Sequence, residues 1–146
     1  MDLNQLTFWP AASAGKPALD TGFRTGDKGT HTSRTMMLAE LAAVLAATGK
    51  DATRSDYASA IVEANCLFKP TAATRRLTNQ RLGELYALDP NVPVFRILRR
   101  LWSVDESGRP LLALLAALAR DPLLLATATA VIPLPAGSEF QRGPMR

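Results

Sequence analysis

The sequence predicts an all-α protein, a compact bundle of about six helices. Three observations carry this. Leu and Ala dominate the second half, and β-branched runs are few. Apolar residues recur at the three- and four-residue spacing of a helix face. Proline, glycine and small polar residues fall between the periodic stretches, and no period-2 strand pattern interrupts them.

Residues 1–32 contain Pro10, Gly15, Pro17, Gly22, Gly26 and Gly29 without helical periodicity. They read as a flexible N-terminal arm in which Trp9 and Phe23 are the large anchors. Residues 33–132 read as the helical bundle domain. Its first helix is expected over Ser33–Thr48, capped by Ser33 and ended by Gly49, with Met37, Leu41, Val44, Leu45 and Thr48 inward. The second runs from Thr53 or Ser55 to Asn65, with Tyr57 and Ile61 on its inner side. The third starts at Thr71, after Pro70, and reaches Ala87. The fourth spans Val92–Trp102, entered through Asp89-Pro90 and Pro93.

The apolar run Leu111–Leu134 resolves into two short buried helices, Pro110–Arg120 and Pro122–Ile132. Arg120, Asp121 and Pro122 interrupt it where a membrane span would tolerate them least. Asp121-Pro122 instead reads as an N-cap followed by proline at the first helical position. No membrane span and no signal peptide are expected, and the simplest location is the cytoplasm. Residues 133–146 return to proline, glycine and charge. They read as a connection, the start of a further C-terminal portion.

Charge is concentrated. Between residues 69 and 102, seven cations face two acids, a surplus of five in a chain of net charge +4. Most are arginines, whose planar fork of donors fits phosphate oxygens. On a helical wheel the third helix puts Leu77, Ala73, Leu82, Leu85 and Leu88 on one arc. Arg75, Arg76, Asn79, Gln80 and Gly83 fall opposite. Arg, Asn and Gln are the side chains that read base edges in the major groove, and Gly83 offers a close backbone approach. The second helix, the turn at Leu67–Pro70 and the third helix resemble a helix-turn-helix, with a longer turn. An ordinary solvated face is the alternative. Arg81 projects into the apolar arc, so a buried, paired, structural role is expected for it.

The fourth helix separates more cleanly. Val94, Phe95, Ile97, Leu98, Leu101 and Trp102 share one side, and Arg96, Arg99 and Arg100 share the other. Three arginines on one face suit phosphate contacts, with Lys69 adding to the surface.

Other chemistry is thinly represented. Gly22–Thr30 has the composition of a phosphate loop but lacks the Gly-Lys-Ser/Thr ending and a preceding strand. His31 reads as a surface histidine and Cys66 as a small core hydrophobe. Asp105-Glu106 reads as a turn before Gly108-Arg109-Pro110. No catalytic residue, metal site or cofactor is expected.

The stretch Asn65-Cys66-Leu67-Phe68-Lys69-Pro70-Thr71-Ala72-Ala73-Thr74-Arg75-Arg76 resembles the N-x-L, then T-x-x-T with following basic residues, of the BrxA family of BREX phage-defence systems. Arg81-Leu82, the serine at Ser33 and the Leu-rich helices after Arg109 extend the resemblance over residues 29–132. It implies a NusB-like helical bundle and a non-enzymatic role in bacterial defence. It also implies binding to double-stranded DNA. The alternatives are an adaptor between defence-system proteins, using the arginine surface and exposed Leu, Trp or Phe, and an RNA-binding module.

Overall fold

The computed structural model describes residues 20–26 and 36–139. The described residues hold six helices and no strand. These are α1 (Leu38–Ala47), α2 (Arg54–Val62), α3 (Ala72–Tyr86), α4 (Pro93–Trp102), α5 (Arg109–Arg120) and α6 (Pro122–Val131). The expectations for Trp9, His31 and Ser33 lie outside the described residues.

Local chemistry sets most boundaries. Thr53 and Asp56 form a reciprocal capping box at the start of α2. The Thr53 backbone and hydroxyl bonds hold the Asp56 carboxyl below its ordinary pKa. Thr71 caps α3 through the Thr74 amide at 3.1 Å. Asp121 caps α6 by accepting from the amides of Leu123 and Leu124, both at 3.1 Å. Helix α1 begins later than the sequence predicts. Met37, left-handed at φ 44°, precedes it and makes no side-chain capping bond.

Helix α2 packs on α1 and α3, while α5 packs on α3, α4 and α6. The core gathers Leu41 and Val44 from α1, Tyr57 and Ile61 from α2, Leu82, Leu85 and Tyr86 from α3, and Phe95 from α4. Tyr57 and Phe95 meet edge to face, with centroids 5.3 Å apart. Helix α5 turns alanines inward, with Ala113, Ala116 and Ala117 buried while Leu111 and Leu115 are exposed. Small side chains there bring α3 and α4 close to its backbone.

Helix α6 was expected to be buried, yet it has no buried residue. It leaves α5 at 119°, and among the described residues no single helix is long and apolar enough to cross a membrane. Residues 20–26, expected in a flexible arm, are fixed to the bundle. The Val94 amide donates to Thr21 at 3.0 Å and the Arg24 amide donates to Ala119 at 2.9 Å. Gly22, at φ 88°, is required there, because a Cβ would collide with Val92.

Arg120 joins these pieces. It is 6% exposed. Its Nε donates to the Glu84 carbonyl at 3.0 Å, its Nη2 to Gly83 at 3.2 Å and its Nη1 to Gly22 at 2.9 Å. A guanidinium thus satisfies the carbonyl end of α3 and ties it to α5 and the N-terminal segment. Burial, with Arg24 nearby and Asp20 opposing, pushes its pKa down to about 10. That value leaves it charged at neutral pH.

Candidate nucleic-acid interface

Of the residues singled out in the third helix, Arg75, Asn79 and Gly83 are drawn into the fold, while Arg76 and Gln80 stay exposed. The buried arc of α3 consists of Thr78, Leu82, Leu85 and Tyr86, and Leu77 is 42% exposed. The helix is therefore rotated from the predicted phase. Thr78 goes inside because its hydroxyl bonds the Thr74 carbonyl at 2.7 Å, which removes the cost of burying it.

That rotation brings Arg75 to the edge of the core. Its Nη1 donates to the Val62 carbonyl at 3.3 Å and its Nε to the Lys69 carbonyl at 3.4 Å. Arg75 closes the carbonyl end of α2. Asn79 accepts from Arg54 at 3.0 Å. Gly83 makes room for the same Arg54 guanidinium, 3.2 Å from where a Cβ would stand, and not for a nucleic-acid backbone. Burial lowers the Arg54 pKa, and Asp89 opposes it. Lys69 pairs with Glu40 of α1 at 3.2 Å. Gln80 is exposed and bonds Glu84 at 3.0 Å, and Arg76 is exposed. Arg81 is half-buried and engaged, while Arg120 is the deeply buried arginine.

The turn before α3 is rigidly built. Asn65 accepts from the Lys69 amide at 2.8 Å and donates back to the Lys69 carbonyl at 3.0 Å. Asn65 and Phe68 both have positive φ, 50° and 52°. Asn tolerates that region; an aromatic residue there is strained. The result holds Phe68 90% exposed. Cys66 beside it is half-buried, and burial raises its thiol pKa, which disfavours the nucleophilic thiolate.

The fourth helix supplies the candidate site. Arg96 and Arg100 are exposed, one helical turn apart on the same face. They border a pocket of about 260 Å³ between α4 and the α1–α2 turn. Lys50, Arg96, Arg99 and Arg100 contribute all its charged lining, with Tyr57, Phe95, Pro90 and Ser103 completing it. No carboxylate lines it. Arg99 is half-buried, and its Nη2 donates to the carbonyls of Leu45 at 3.2 Å and Thr48 at 3.1 Å. Part of its charge therefore offsets the negative end of α1. Arg96 makes one long contact, to the Pro90 carbonyl at 3.4 Å. Among the described residues, Lys50 and Arg100 have no carboxylate partner.

Sequence reasoning missed Lys50. It follows Gly49, lies 46 positions from Arg96, and carries no local signal. Only the packing of α4 against the end of α1 brings it in.

The opposite side of α4 is also incompletely covered. Ile97, at 58% exposure, and Leu101 were expected in the core. They line an open apolar groove of about 360 Å³ with Phe23, Leu112 and Leu115. Arg109 closes the α4–α5 turn, donating to Trp102 at 3.0 Å and Glu106 at 3.0 Å. Asp105 accepts from Ser107 in that turn, as a turn reading requires.

No family model, curated protein or solved structure matches the chain.

Proposed function

We propose that this protein is a non-enzymatic, cytoplasmic DNA-binding accessory factor of a BREX-type defence system. The observation that supports DNA binding is the pocket where Lys50, Arg96, Arg99 and Arg100 converge with no acid in the lining. Arginine and lysine grouped without counter-charge attract phosphate and steer it by long-range attraction. The resemblance of residues 65–76 to BrxA supports the defence role and a NusB-like arrangement. The rotation of α3 moves the contact from that helix to α4 and the α1–α2 turn. Arg76 and Gln80 remain exposed on α3; Lys69, Arg75 and Asn79 serve the fold.

The experiment is a salt titration of duplex binding. Each phosphate contact contributes a log–log slope of about −0.9. Changing Lys50, Arg96 and Arg100 together to alanine should flatten the slope by about 2–3 units, equally for every DNA sequence. An unchanged slope would remove these residues from the contact.

A second reading is an adaptor between proteins. The groove beside Ile97 and Leu115, together with exposed Phe68, favours it, since buried aromatic and aliphatic anchors dominate such contacts. That reading takes over if duplex binding is absent while Lys50, Arg96 and Arg100 are still required for defence.

A further inference from the structure

We infer that the Lys50–Arg96–Arg99–Arg100 pocket receives the terminal phosphomonoester of a nucleic-acid strand, so that the protein reads DNA ends. The inference rests on the DNA-binding reading and specifies what its site prefers.

The first argument is shape. A surface that follows a duplex backbone meets diesters along an open face. Here the cations surround a concavity of about 260 Å³. A phosphate with part of its sugar can enter such a space, whereas an internal diester is held at the duplex surface by strand on both sides.

The second argument is charge. A phosphomonoester carries about −1.5 to −2 at neutral pH, against −1 for an internal diester. The pocket answers with convergent cations. Arg96 and Arg100 come from one face of α4, and Lys50 comes from across the pocket. Arg99 sits between them and offsets the carbonyl end of α1, which would otherwise repel an anion. Two exposed arginines and a lysine give both forked and point-charge donors for three terminal oxygens.

The third argument is what is missing from the lining. Asp51 follows Lys50 and Asp89 precedes Pro90, yet neither borders the pocket. Among the described residues, Lys50 and Arg100 have no carboxylate partner to compete with an external anion.

The test uses the full chain and duplexes of one sequence in four forms. These are 5′-phosphorylated, 3′-phosphorylated, hydroxyl-ended, and a covalently closed dumbbell without ends. One phosphorylated form should bind about tenfold tighter than the hydroxyl-ended duplex, as one added charge-assisted contact provides. The dumbbell should match the hydroxyl-ended form, and inorganic phosphate should compete for the preference. Lys50→Ala and Arg100→Ala, shown to be helical by circular dichroism, should each erase the difference between phosphorylated and hydroxyl ends. Equal affinity for all four forms, with normal salt dependence, overturns the end-reading inference and leaves DNA binding intact. No salt-sensitive binding to any form overturns both.

Discussion

The Nε of Arg120 donates to the carbonyl oxygen of Glu84 at 3.0 Å. That bond places a charge from the end of α5 on the last turn of α3. Its neighbours on Gly83 and Gly22 make Arg120 the tie among three segments distant in sequence. Arg120→Met should cost about 3 kcal/mol of stability, because the Glu84 and Gly22 carbonyls lose their donor inside the fold and Gly83 keeps only the Ala87 amide. Arg120→Lys should recover little, since one ammonium cannot span all three. A urea midpoint unchanged in both variants would show that the tie contributes nothing.

The Tyr86 phenol gives a pH dependence of known sign. It is buried and donates to the Met36 carbonyl, and burial raises its pKa above the ordinary value of 10.0. The folded state therefore keeps the proton that the unfolded chain gives up. The stabilisation is whole below pH 10 and is lost as pH rises through the raised folded value. Tyr86→Phe should cost about 1 kcal/mol at neutral pH through the lost bond. It should also make stability fall less steeply with pH above 10 than in the native protein. Parallel alkaline unfolding curves would contradict the assignment.

The Asn65–Lys69 clamp and the backbone strain beneath it can be separated by two substitutions. Asn65→Gly keeps the positive φ and removes both side-chain bonds; Asn65→Ala removes the bonds and adds strain. Alanine should be the more costly by about 1 kcal/mol. Phe68→Gly, at an exposed site with φ 52°, should be neutral or stabilising by up to about 1 kcal/mol. Thermal midpoints decide each comparison, and a large loss for Phe68→Gly would mean that its ring supports the fold.

Arg75 and Arg100 should give opposite phenotypes. Arg75→Ala leaves the end of α2 unpaired and should lower stability by about 1–2 kcal/mol with the DNA salt slope unchanged. Arg100→Ala should leave stability within about 0.5 kcal/mol and reduce the slope by roughly one unit. Denaturant titration and salt-dependent binding on the same preparations test both halves. A flattened slope for Arg75→Ala alone would return the contact to α3.

What the sequence determined was local. Thr53 with Asp56, Thr71, and Asp121 with Pro122 start their helices where the caps stand, because capping satisfies amides only two or three residues away. The fourth helix was legible too, since proline entry and apolar periodicity lie within ten residues. Tertiary packing decided which faces are buried. Threonine at position 78 counts as polar in a wheel but buries cheaply once it bonds its own helix, and that shifted α3 and internalised Arg75 and Asn79. The choice of Arg120 over Arg81 as the deeply buried arginine depended on where the Glu84, Gly83 and Gly22 carbonyls met. The pocket depended on α4 crossing the end of α1, which set Lys50 beside Arg96 and Arg100. Side-chain partners so far apart along the chain leave no periodic trace, because their pairing is fixed by how the helices pack and not by any spacing within one helix.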